Sequence, residues 1–214
     1  LNFNMEITLN KNQQETYDFF IKNFGLRTKG HENEIKNIIL NASNLIDTMI
    51  TNSDLRNINE DRLQNCNNNM NLVYETFKKI TADEQDPTSK PHIIYFMLIM
   101  YSHWCESLSS LFKDTISQYY KRDIYLRDFE KYFSEKYPLQ YNELFEERLI
   151  RPLRNAIAHN SVKIDSQNKT IEFYYSKEKG YVKLSFTNVE CLHDTFTMVY
   201  FCIVKELLGI INQG

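Results

Sequence analysis

Within the stretch Leu153-Arg154-Asn155-Ala156-Ile157-Ala158-His159, a guanidinium, an amide and an imidazole stand close enough together to act on one substrate. At roughly 3.6 residues per helical turn, Asn155 and His159 fall one turn apart, with Arg154 on the adjoining edge. An imidazole can move the proton of a ribose 2′-hydroxyl or of a leaving 5′-oxygen, and a planar guanidinium can hold phosphorane oxygens through paired donors. Neither role needs a metal, so the set suits metal-independent cleavage of RNA, and no cofactor is expected. Ala156 and Ala158 leave room for another helix, of this chain or of a second copy, and a two-fold dimer would bring two Arg-Asn-His sets face to face. The plainer alternative is an Arg on the surface, an Asn closing the last turn and a His packed under the segment that follows. Spacing alone leaves both open.

Other residues could support this chemistry. Glu106 and His103 interrupt an apolar helical run, and a buried acid needs a cationic partner, which Arg154 could be. His103 could supply a second imidazole or sit beside Trp104 as a hydrogen-bonded core residue. Arg148 and Arg151 precede the motif by one or two turns and could extend a phosphate track that binds RNA, although Glu143, Glu146 and Glu147 make a salt-paired solvated face an equal explanation. Tyr119-Tyr120-Lys121-Arg122 and Tyr174-Tyr175 set aromatic rings beside basic side chains, a pattern that stacks single-stranded bases or simply packs a core or a strand edge. His31, His92 and His193 lack companions at metal-ligand spacing, so no metal site is expected. Cys66, Cys105, Cys191 and Cys202 show no C-x-x-C spacing and read as buried thiols outside any disulfide framework.

These side chains need a scaffold, and the composition says which kind. With 214 residues, 42% hydrophobic and 25% charged, the chain lies in the globular range. Five Gly and four Pro are too few for the turns of an all-β fold, so the expectation is mainly α. A formal charge of −3 gives no global attraction to nucleic acid, and any binding of a polyanion must be local.

Apolar residues recur at helical spacing from Asn12 to Phe24, where Gly25 would close the helix, then from Glu32, and more weakly through Leu63, Met70, Val73 and Phe77. The prolines at 87 and 91 mark a break, which divides an N-terminal helical region, 1–86, packed on the same core, from the rest, 87–214. His92 to about Tyr120 reads as one long central helix. Asp123 to Tyr137 and Leu139 to Ile150 read as two amphipathic helices, and Pro152 starts or kinks a short helix that ends at His159. Then the period changes: residues 162–165, 171–174 and 181–186 form a small antiparallel β insertion at about 161–186. Thr187-Asn188-Val189-Glu190 is a capping box, with Phe186 and Cys191 placed as its staple, and a last helix runs from Val189 to about Ile211. Met5-Glu6-Ile7-Thr8-Leu9 has no secretory character, and the apolar run from Ile93 to Tyr101 is far short of the ~20 residues that cross a bilayer. A cytoplasmic protein without membrane partners is expected.

The string from Leu153 to His159, at the end of a short helix and ahead of a final bundle helix, resembles the HEPN superfamily (higher eukaryotes and prokaryotes nucleotide-binding) over roughly Pro91 to Ile211. That superfamily's signature is an Arg, usually followed by a polar residue such as Asn, then a His after a gap of four to six residues in all; here the gap is four, in the Arg-Asn-x3-His form. The resemblance implies a HEPN-like helical bundle, usually dimeric, that in many members is a metal-independent endoribonuclease of toxin, abortive-infection or antiviral defence systems. Arg154, Asn155 and His159 would be its catalytic residues, RNA its substrate, and an antitoxin or defence protein its further partner. Where members silenced by a nucleotidyltransferase carry a Tyr two places after the His, this chain has Ser161. Non-catalytic members give the alternative, an inactive module that binds a nucleotide or a protein.

Overall fold

In the computed structural model, which describes residues 7–24, 30–81, 90–146 and 150–211, the apolar periodicity of the sequence becomes a mainly helical chain. Its elements are α1 (Lys11–Phe24), α2 (Glu32–Thr51), α3 (Glu60–Thr81), α4 (Pro91–Leu111), α5 (Lys113–Tyr120), α6 (Leu126–Lys136), α7 (Pro138–Leu144) and α8 (Ile150–Ala158). Three strands follow, β1 (Lys163–Asp165), β2 (Thr170–Ser176) and β3 (Gly180–Ser185), and α9 (Phe186–Ile211) closes the chain. The strands pair antiparallel in the order β1-β2-β3. Gly25 and most of the expected break before Pro91 lie outside the described residues.

The core forms where apolar faces must leave water. α2 buries Ile35, Ile38, Ile39, Ala42, Leu45, Ile46 and Met49, spaced along one face, and packs them on α9. α9 is apolar nearly all round, and it contacts α2, α3 and α4. Trp104 of α4 stacks on Tyr200 of α9 with ring centroids 4.5 Å apart. A single hydrophobic cluster runs from Phe20 to Leu207, so the N-terminal helices and the later ones share one buried interior. No helix among the described residues is long and apolar enough to cross a membrane.

Several boundaries differ from the sequence reading, among them the start of α6, which lies at Leu126 and not at Asp123. The central helix breaks at Phe112, whose φ of −92° and ψ of 5° leave the helical region, and α5 restarts at Lys113. The fully buried Phe112 ring packs on Phe129 and Phe133 of α6, and the bend keeps it there. Pro152 is the third residue of α8, where its missing N–H is one that a helix start leaves unpaired anyway. The helix after Pro138 stops at Leu144. α9 begins directly after β3 with Ser185 as its cap: the Ser185 hydroxyl accepts the Asn188 N–H at 3.1 Å. Cys191, read as a buried staple residue, is exposed, whereas Cys66, Cys105 and Cys202 are buried.

α6, which helps form the site, is tied down by a buried carboxylate. Asp128 accepts the Tyr125 N–H at 2.9 Å and both Arg122 guanidinium nitrogens, at 3.0 and 2.6 Å. The Arg122 hydrogen bonds, joined by that backbone N–H, hold the Asp128 carboxyl below the usual carboxylate range.

Candidate functional site

α8 lies between α4 and β2, and its buried Leu153 and Ala156 fix its rotation against them. That rotation half-buries Arg154 and Asn155 and leaves Arg151 and His159 exposed. The helix ends in a Schellman closure. The Ser161 N–H reaches the Ala156 carbonyl at 2.8 Å and the Asn160 N–H the Ile157 carbonyl at 3.0 Å. Asn160 takes the left-handed conformation that this closure needs, with φ at 50°. Asn160 therefore closes the last turn, Asn155 is free of that task, and the imidazole of His159 faces solvent instead of packing under the hairpin.

Two clefts flank α8. One, of about 390 Å³, is lined by Arg151, Asn155, His159, Tyr174 and Tyr175 among others. The other, of about 810 Å³, includes Glu106, Lys113, Arg127, Arg151, Arg154 and Asn155. Arg151 and Asn155 line both, whereas His159 faces only the first of these clefts and Arg154 only the second. The helical period explains the split. Arg151, Asn155 and His159 follow one another at i, i+4 and i+8, while Arg154 lies about 140° around the helix from His159. So the three signature residues do not converge on one cleft, and the cation that shares a cleft with the imidazole is Arg151. Their spacing carried that signal, since the row 151, 155, 159 is legible once helical phase is followed back by one more turn.

Arg154 is engaged instead with its neighbours. It forms an ion pair with Glu106 of α4, and its Nη1 donates to Asn155 Oδ1 at 3.0 Å. Its Nε is buried and has no hydrogen-bond partner among the described residues. Glu106 is 48% exposed, so it is a half-exposed partner of Arg154 and not the buried acid that its place in an apolar run suggests. Because the Asn155 carbonyl oxygen already accepts from Arg154, what Asn155 offers a ligand is its pair of amide N–H donors. Arg151 is anchored to α6: its backbone N–H donates to Glu130 at 3.2 Å and its Nε lies 3.4 Å from the same carboxylate. Burial pushes the Glu130 carboxyl up, against the pull of Arg151.

The remaining sequence candidates fall elsewhere. His103 lines neither cleft; its half-buried ring lies 5.1 Å from Trp104, and burial pushes its pKa down. Arg148 lies outside the described residues. Tyr119 packs edge-on against Tyr120 and Tyr132, and Arg122 is held by Asp128, so that aromatic and basic run serves packing. Tyr174 and Tyr175 do reach the His159 cleft. His193 is buried against Phe77 with its Nδ1 2.8 Å from Asp194. Among the described residues no three His, Cys, Asp or Glu side chains gather as metal ligands would.

Taken together, the smaller cleft sets an exposed imidazole beside an amide donor and a guanidinium, a set able to move a proton and to steady an anion. No protein-family model, curated protein or solved structure matches this chain.

Proposed function

We propose that this chain is a metal-independent endoribonuclease of the HEPN type, acting in the cytoplasm on single-stranded or loop RNA as part of a toxin or antiviral defence system. The observation that carries the proposal is the exposed His159 imidazole in one open cleft with Asn155 and Arg151. In the reaction, His159 takes the proton of the ribose 2′-hydroxyl, the 2′-oxygen bonds to phosphorus, and the bond from phosphorus to the 5′-oxygen breaks. The leaving oxygen takes up a proton, and the products carry a 2′,3′-cyclic phosphate and a 5′-hydroxyl. The Asn155 amide and the Arg151 guanidinium hold the non-bridging oxygens as charge builds on them. Arg154, held by Glu106, orients Asn155.

The test is purified protein with RNA in excess EDTA. Cleavage that persists and leaves cyclic-phosphate ends supports the proposal, and a requirement for added metal would overturn it. Tight binding of RNA without products would move the assignment to a silent nucleotide-binding module, a use that the Glu106–Arg154 pair would also serve.

A homodimer belongs to the same proposal, because one imidazole per chain gives a single acid–base group to each cleft. Tyr95 and Ile99 are 46% and 43% exposed on the α4 face that also carries Glu106, an apolar stripe suited to a second copy. Ile99→Glu is expected to give a monomer by sedimentation and to lower cleavage at least tenfold. A dimer that persists in this variant would place the interface elsewhere.

A further inference from the structure

The β insertion does more than cover α8. β2 and β3 pair Tyr174 with Tyr181 and Ser176 with Gly180, so Tyr175 is an extra residue, a bulge in β2. Strict alternation would send Phe173 and Tyr175 inward and Tyr174 outward. Phe173 is indeed fully buried and Tyr174 is 46% exposed, yet Tyr174 and Tyr175 both line the His159 cleft. Around this bulge, two consecutive tyrosines thus line the cleft that the exposed His159 also lines.

The surroundings of these rings are cationic. Tyr181 stands edge-on to Tyr174 at 5.6 Å, Lys163 lies 5.6 Å from the Tyr181 ring, and Lys179 lies 4.5 Å from that of Tyr175. Residues 151–185 hold two Arg and five Lys against three acids, in a chain whose formal charge is −3. Glu130 and Glu106 pair with the two Arg and Glu172 with Lys163, so the local positive charge open to a polyanion comes from the other hairpin lysines, Lys179 beside Tyr175 among them.

We infer that Tyr174, with Tyr175 beside it, is a base-stacking subsite that holds the nucleotide next to the phosphate at His159 and selects single-stranded over paired RNA. Stacking needs a bare base face, which an unpaired nucleotide presents and a base pair within a helix does not. The cleft, about 390 Å³, falls within the roughly 300–1,000 Å³ of sites that enclose a small ligand. Tyr174 is a positioning residue here, since the chemistry stays with His159.

This inference rests on the endoribonuclease reading, and its test is built to separate the two. In a His159→Ala background, affinity for a short mixed-sequence single-stranded RNA is measured by fluorescence anisotropy, with the same sequence as a duplex for comparison. Tyr174→Leu is expected to weaken single-strand binding about tenfold or more, as loss of one stacked base does. Duplex binding, the weaker of the two, should not change. Tyr174→Trp is expected to restore affinity. Trp104 is the one tryptophan of the chain and is fully buried, so the new indole reports directly, and its fluorescence should quench on binding. Equal affinity for Tyr174→Leu and its parent, an unquenched indole, a duplex bound as tightly as the single strand, or no measurable binding would each overturn the subsite. If His159→Ala instead cleaves RNA like the parent, the catalytic assignment fails while the stacking measurement still decides the subsite.

Discussion

Replacing His159 by alanine is expected to slow RNA cleavage about 10²- to 10⁴-fold, the usual contribution of a positioned general acid or base. The side chain is exposed at the end of α8, and the helix closure uses the backbone of Asn160 and Ser161, so stability should change by no more than about 0.5 kcal/mol. RNA affinity should fall little, because Arg151, Asn155 and the hairpin remain in place. Single-turnover cleavage in EDTA checks the rate, and a thermal melt of the same preparation checks the fold. Identical purification of both proteins also removes contaminating nuclease as an explanation, since a contaminant would cleave in both tubes. An alanine variant as fast as its parent would leave the scaffold standing and take away its active site.

How much of this could be read from the sequence depends on which interactions decide each feature. The helices whose apolar residues recur along one face, α2 above all, were legible because burial of that face decides them. The break at Phe112 was not, because Leu108, Leu111, Phe112 and Ile116 keep helical spacing through it. What bends the chain there is packing on α6, distant in sequence. The sequence places the start of α9 at Val189, three residues after its observed start at Phe186, because Thr187 is as good a cap as Ser185. The sheet chooses between them: the Phe186 N–H still bonds the Lys169 carbonyl at 2.8 Å, and the helix can begin only where that pairing ends. At the site, the short helix and its terminal His were legible. Arg151 as the cation in the same row as the imidazole was legible too, from the i, i+4, i+8 spacing, whereas the burial of Leu153 and Ala156, which decides which side of α8 faces the core, depends on packing against α4 and β2. Tyr174-Tyr175 was legible as an aromatic pair beside basic residues, but the bulge at Tyr175 has no signature in Phe173-Tyr174-Tyr175-Ser176.

Arg154→Ala carries the second large effect, a fall in kcat of about 10²- to 10³-fold, the range for losing one donor that steadies transition-state charge. Arg154 does not line the His159 cleft, so its loss acts through Asn155, whose carbonyl oxygen it holds at 3.0 Å. Freed, that amide can rotate and turn its oxygen toward the phosphate, which replaces an attractive contact with a repulsive one. The KM for RNA should therefore move much less than kcat. Arg154→Lys should fare almost as badly, because one ammonium cannot reproduce the planar fork that grips Glu106 and Asn155 together. Glu106→Gln keeps a hydrogen-bond acceptor for Arg154 and should cost far less. Stability is a poor readout for this pair, since a half-exposed ion pair contributes only about 0.2–1 kcal/mol. The deciding comparison is steady-state kinetics of the three variants beside their melting temperatures. An intact kcat in Arg154→Ala, whatever its melting temperature, would reduce Arg154 to a clamp between α4 and α8, with Arg151 and Asn155 left to hold the phosphate and His159 to move the proton.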